Sequence, residues 1–348
     1  MRWSLYPATE FARFATAWDQ TNAACRELPF LRAAFLEPLL HEFGTGDELL
    51  AVCEAGHTAI AFGLLAKKRH GTWETFQPSQ LPLAAWLLRS GHDIDMLLPA
   101  LLERLPGFAL HVGITQQDPL ALERPVDRPG LRTLDYVQTA WVDIEGTFDD
   151  YWSTRGKNLR ANMRKQRAKL ASDGVSTCLE VVTSPNEVST ALAEYGVLES
   201  CGWKAAGGTA IHPDNAQGRF YRAMLERFFA QGLGRIYRYK FGDKVVAIDL
   251  CIEGGGTLVI LKTTYDESLT TFSPALLMRQ AAFKSIFDAS DIKRVEFYGR
   301  LMDWHTRWTS NIRTLYHINY YRWPWLPSVH QLLYRIAGKA QQPRPEAS

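Results

Sequence analysis

The chain has 348 residues, 46% hydrophobic and 22% charged, an ordinary globular composition with room for two domains or one large one, which excludes extensive disorder outside the tail. Its 39 basic residues are nearly matched by 37 acidic ones for a net charge of +2, so global charge makes no case for nucleic acid. Five scattered cysteines and nine histidines without ligand spacing argue against a disulfide framework and a metal site, and with no apolar run approaching about 18 residues and no apolar signal after Met1 neither secretion nor a membrane span is expected, so cytoplasm is the expected compartment.

A strand at 3–6 opens the chain, followed by helical periodicity over 9–24 and 31–40. Three β segments come next, at 48–54, 58–66 and 71–77, separated by Ala55-Gly56-His57 and by the basic knot Lys67-Lys68-Arg69-His70. A helix over 94–105 and a strand over 108–114 complete the first half. Between the third of these β segments and the helix lies Pro78-Ser79-Gln80-Leu81-Pro82-Leu83, which has two prolines and no glycine and reads as a structural or substrate-shaping loop. Residues 117–130, with Pro119, Pro125 and Pro129 among alternating charges, suit a surface connection, and a domain boundary fits near 143–150.

From Tyr151 to Ser172 there is no acidic residue, while Arg155, Lys157, Arg160, Arg164, Lys165, Arg167 and Lys169 follow one another. Two readings stand: a solvated helix face, or an anion platform in which Arg160, Arg164 and Arg167 share one side at spacings of four and three. A strand at 175–182 and helices at 186–200 and 220–229 come next. Between the helices runs a glycine-rich loop carrying Trp203 and Lys204, either a tethering aromatic beside an exposed lysine or a pair of acceptor contacts.

Residues 235–241, 245–253 and 257–265 read as an antiparallel meander, reversed at Phe241-Gly242-Asp243-Lys244 and at Gly254-Gly255-Gly256. After a polar loop at 266–271, Ser273-Pro274 has the form of an N-cap with proline in the first helical position, leading a helix over 275–289 with one apolar face. Such an N-terminus is either simply capped or an anion site, because its first N–H groups have no partners within the helix. A strand at 294–298 follows, with Glu296 and Tyr298 on one face, then a polar loop with Arg300, Asp303, His305 and Arg307. A last strand is expected at 315–323, and an amphipathic segment at 329–336 that packs or touches a membrane surface.

The order of three strands, loop, helix and strand, with Thr264-Tyr265-Asp266, Phe272-Ser273-Pro274-Ala275-Leu276-Leu277 and Phe297-Tyr298-Gly299, resembles the core of GNAT-superfamily acyltransferases. The branch it resembles is the one shared by CelD-like, cellulose-biosynthesis-associated acetyltransferases and FemAB-type peptidyl transferases. Tyr151-Trp152-Ser153, Cys201-Gly202-Trp203-Lys204 and Arg219-Phe220-Tyr221 extend the likeness over residues 150–322, about half the chain.

The resemblance implies an α/β (α+β) fold of tandem GNAT-like domains, each a mixed, mostly antiparallel sheet flanked by helices. The expected bounds are 1–145 for an N-terminal domain without a donor site, 146–323 for the catalytic domain, and 324–348 for a short helix and tail. It also implies acetyl-CoA or another acyl-CoA as co-substrate and no metal. Donor contacts fall on Thr264, Ser273, Pro274, Ala275 and Leu276, and acceptor contacts on Trp203, Lys204, Arg160, Arg164, Tyr265 and Arg300.

Candidate bases are Glu296 and Asp249, carboxylates in apolar strands where burial raises a pKa, with a structural role open for each. Tyr298 and Tyr265 are candidate acids. His305 and Asp303 join the catalytic set, with Trp304-His305 replacing the Tyr-Lys pair common in related proteins, and Ala275 replacing a frequent glycine. The leading expectation is an N-acyltransferase acting on an amino sugar or polysaccharide precursor. The alternatives are aminoacyl transfer from charged tRNA, or a non-catalytic subunit of exopolysaccharide assembly.

Overall fold

The computed structural model describes residues 1–200 and 211–328, so Trp203, Lys204 and the segment 329–336 lie outside the described residues. In chain order the elements are β1 (Arg2–Pro7), α1 (Phe11–Cys25), α2 (Ala33–Phe43), β2 (Leu49–Ala55), β3 (Thr58–Arg69), β4 (Thr72–Thr75), β5 (Trp86–Leu88), α3 (Ile94–Arg104), β6 (His111–Gln117) and β7 (Leu131–Asp143). They continue with α4 (Phe148–Ser153), α5 (Lys157–Ser172), β8 (Thr177–Val182), α6 (Val188–Ser200), α7 (Ala216–Ala230), β9 (Gly234–Phe241), β10 (Lys244–Gly254), β11 (Thr257–Tyr265), α8 (Pro274–Ala289), β12 (Arg294–Glu296) and β13 (Ile312–Tyr321). The expected loop at 266–271 is a short 3-10 segment, Glu267–Phe272, because Asp266 accepts the Ser268 N–H and starts a turn.

Two compact units share these elements, one of Met1–Phe11, Thr45–Tyr136 and the chain from Thr314, the other of Ala12–Gly44 and Val137–Arg313. In the first unit the strand order is β1-β2-β3-β4-β6-β13, with β5 beside β3; all neighbours are antiparallel except β4 and β6. Its core is formed by Trp3, Val112, Ile114 and Ile318 from the strands, with Leu97, Leu98, Leu101 and Leu102 from α3.

The second unit has the order β8-β9-β10-β11-β12-β7, again antiparallel except for β11 and β12. The same chain order of strands, with one helix before the parallel strand, thus occurs twice. In each unit the final strand is not the next in sequence: β7 completes the second and β13 the first. The turn between β10 and β11 shows why glycine stands there. Gly254 pairs with Thr257, leaving Gly255 and Gly256 at φ 56° and 71°, the two left-handed positions of a tight hairpin.

On one face of this sheet α8 buries Leu277, Met278, Phe283 and Ile286 among Tyr237, Leu258 and Trp308. Side chains of this size each stabilise by about 1.5–3 kcal/mol when fully buried, so the direction of α8, and hence the position of its N-terminus, is set by packing. The Tyr151 hydroxyl donates to the Trp308 carbonyl at 2.8 Å, and Arg155 donates to the same oxygen. These bonds tie α4 to the loop that follows β12.

Candidate active site

At the start of α8, Ser273 is left-handed, with φ 48° and ψ 58°, and its side chain makes no capping bond. This corrects the expected cap: the Oγ instead accepts from Gln166 Nε2 at 3.0 Å, and the Ser273 N–H donates to Thr270 O. A non-glycine residue in this region costs about 1–2 kcal/mol. The N–H groups of Leu276 and Leu277 return to Ser273 O, and Pro274 has none. The Ala275 N–H is therefore the first-turn donor with no acceptor among the described residues, and no acidic residue lies in that turn.

A cleft of about 440 Å³ opens against this helix end. Asn158, Asn162 and Gln166, four residues apart along α5, line one side; Ser273 and Leu276 line another, and Arg307 a third, with no carboxylate among the lining residues. The α5 face that includes Leu159, Met163 and Leu170 is buried, which turns these carboxamides to the cleft and most of the basic residues to solvent.

In the sheet beneath α8, β11 and β12 separate after a short paired stretch. They pair only from Thr257 with Arg294 to Val259 with Glu296. The expected strand through Tyr298 stops at Glu296: Tyr298 takes φ 46°, and Gly299 N–H closes onto Phe297 O at 2.6 Å, reversing the chain within one residue. On its other side β11 stays paired with β10 through Tyr265, and the register places Leu250 opposite Lys262 but Cys251 opposite Ile260. Leu261 is thus the extra residue of a β-bulge, beside a strand edge that β12 leaves open.

Arg279, from the second turn of α8, lies against this part of β11. Its Nη2 is 3.1 Å from Asp249 Oδ1 and 3.0 Å from Thr263 Oγ1, and Thr263 donates to the same Asp249 oxygen at 2.6 Å. The guanidinium also lies 5.7 Å and 5.8 Å from the ring centres of Phe297 and Trp304. Burial pushes the Asp249 carboxyl up, while Arg279 and the Thr263 hydrogen bond oppose that. Glu296 is likewise buried, 2.9 Å from Arg313 Nη2, and Arg313 lies over the rings of Trp141 and Tyr298. Both candidate bases are therefore ion-paired carboxylates, a correction to the idea that either stands alone in an apolar strand.

His305 is corrected in a similar way. Its Nδ1 accepts the Met302 N–H at 2.9 Å, which leaves the proton of the neutral ring on Nε2. Burial, with nearby Arg279 adding to it, lowers its pKa to about 4. The ring stacks on Trp304 with centroids 3.6 Å apart. It can offer an N–H donor, but its free lone pair is already engaged.

The other expected residues are dispersed. Thr264 is buried in the β11 ladder and Tyr265 packs half-buried against the core, while Arg300 and Asp303 are exposed. The arginine platform is divided: Arg160 Nε bonds Arg155 O, Arg167 bonds Gln280 Oε1, and Arg164 is exposed. Pro274 is buried, Ala275 is half-buried, and Leu276 is half-buried and lines the cleft. Sequence reasoning missed Asn158, Asn162, Gln166, Arg279 and Arg313. The period of four along α5 was a signal for the first three; nothing local announces the two arginines.

Residues 157–308 match the family model of the acetyltransferase (GNAT) domain. A search of curated proteins by sequence finds no match. Among solved structures, FemX superposes with a TM-score of 0.58 at 10% identity, covering 96% of this chain and 100% of that one. L-PGS from Bacillus licheniformis superposes with a TM-score of 0.52 at 17% identity, over 90% and 98%. At these identities the two structures establish a shared fold. Residues 157–308 are thus similar to a GNAT acetyltransferase domain, and the chain shares its fold with FemX and L-PGS.

Proposed function

We propose that the chain is an N-acyltransferase that takes its acyl group from acyl-CoA, with the donor phosphates at the N-terminus of α8 and the thioester arm in the gap between β11 and β12. The observation that carries this reading is the contrast between the equivalent helices of the two units. At α3 the Asp93 carboxylate already accepts the Asp95 N–H at 2.8 Å, and Asp95 sits in the first turn. A phosphate there would meet two carboxylates, one of them already paired with Arg128 at 2.8 Å. At α8 the first turn is free of acid, Ser273 makes no cap, and the adjoining cleft has no carboxylate.

The residues present fit such a donor. The Ala275 N–H and the Arg307 guanidinium suit phosphate oxygens, Gln166 holds the Ser273 side chain, and Leu276 gives the arm an apolar surface. When bound, acyl-CoA supplies an acyl carbon activated by its thiol leaving group. The protein's part is to bind it, hold the carbonyl near fixed donors and exclude water. For the acceptor, an amino sugar or polysaccharide precursor follows from the CelD-like resemblance of the sequence.

One observation favours a second reading, aminoacyl transfer from tRNA: Lys157, Arg164, Lys165 and Lys169 are all exposed along α5. Thiol release from acetyl-CoA and longer acyl-CoAs, measured against a panel of amino sugars and amines, tests the first. Amine-dependent release is expected. No release with any pair, together with salt-sensitive transfer from charged tRNA, would shift the assignment to the second.

A further inference from the structure

We infer that Arg279 contacts the acyl carbonyl of the donor through Nη1 and stabilises the charge that this oxygen gains during transfer, with Asp249 and Thr263 acting as its positioning residues; the inference rests on the donor reading above. Arg279 is 3% exposed, yet its Nη1 has no hydrogen-bond partner, and neither has Asp249 Oδ2. A buried guanidinium nitrogen without an acceptor is costly, and native structures rarely retain one unless a ligand or water completes it.

The location supports a ligand. Six residues separate Ser273 from Arg279, a rise of ~9 Å along the helix axis, so a donor anchored by phosphates at the N-terminus of α8 has to reach inward to arrive there. Arg279 bonds Thr263, two residues past the bulge at Leu261, and faces Phe297 and Trp304 on the side of the departing strand β12. It therefore lies on the stretch of β11 beyond Val259, the last residue paired with β12, where the strand edge is left open. Phe297, Trp304 and His305 pack together beside it, and aromatic surroundings of this kind strengthen a hydrogen bond to a developing negative charge.

In the transfer the amine nitrogen bonds to the acyl carbon, the carbon–sulfur bond breaks, and the sulfur leaves as the CoA thiol with the proton the amine gives up. The carbonyl oxygen carries excess charge only between these events. Nη1 donates to it, while the ion pair of Nη2 with Asp249 keeps the guanidinium plane from turning.

The test compares CoA and acetyl-CoA binding to wild type, Arg279→Met and Arg279→Lys by calorimetry, with isotope-edited infrared spectra of bound acetyl-CoA labelled at the carbonyl carbon. Wild type is expected to prefer acetyl-CoA by roughly tenfold, the size of one charge-assisted hydrogen bond, and to lower the carbonyl stretching frequency. Arg279→Met loses both effects and keeps CoA affinity within about twofold. Arg279→Lys keeps a cation opposite Asp249 if the methionine variant does not fold, and is expected to lose most of the frequency shift. An unchanged preference and frequency in either folded variant overturns the role of Arg279. Failure of wild type to bind CoA at all overturns the donor reading instead.

Discussion

Gln166 Nε2 donates to Ser273 Oγ across 3.0 Å, joining the middle of α5 to the residue that begins α8. Ser273 is left-handed and caps nothing, and this bond, with a longer one of 3.4 Å from its hydroxyl to Thr270 O, orients its side chain beside the cleft. Ser273→Glu places a carboxylate at the helix end intended for phosphate, and CoA affinity is expected to fall by at least about tenfold in calorimetry, with like-charge repulsion largest at low salt. Gln166→Ala adds no charge and is expected to cost only a few-fold.

The pair of Arg279 and Asp249 makes a prediction about stability. Removing one partner strands the other charge in an apolar core, which costs about 3–5 kcal/mol. Asp249→Leu should therefore lower the urea midpoint sharply. Combining Asp249→Leu with Arg279→Met should restore much of the loss, since no buried charge then remains. Equal effects in the single and double variants would mean that the pair does not couple.

His305 gives the fold a pH dependence. Its folded pKa is depressed to about 4 by burial, so the neutral ring is the form the structure accommodates. A depressed pKa contributes stability that is present above the unfolded value, near 6.5, and lost as pH falls through the folded one. Urea midpoints followed from pH 7 to pH 4 should drop more steeply for wild type than for His305→Gln, which cannot take up that proton. Parallel slopes would show that the ring is solvated.

Much of this architecture was legible in the sequence where a local pattern coincided with the final packing. The meander from 234 to 265 and helix α8 lie within a few residues of expectation, because alternation, paired glycines and Ser-Pro are local signals. Strand β7, Leu131–Asp143, was not recognised, although Thr, Tyr, Val and Trp alternate through it. Its proline-rich prelude reads as a connection, and its partner β12 lies about 150 residues further on. The helices of 12–44 stand early in the chain but group with the second unit, a result of packing that no local pattern records.

The candidate site was less legible. Asp249 and Glu296 stand out as acids in apolar strands, but the arginines that pair with them come from α8 and from the start of β13, at sequence distances of 30 and 17 residues. Local context therefore suggested free bases where the fold has ion pairs. Tyr298 fits a strand by composition, and only the divergence of β12 from β11 forces it into the left-handed region.

The most direct test of the account is hydrogen–deuterium exchange of the protein with and without CoA. Protection is expected in peptides spanning 270–280, where the Ala275 N–H waits for an acceptor, and along the open edge of β11, with the start of α3 unchanged. Protection at α3, or none anywhere at saturating CoA, would contradict the placement of the donor at α8.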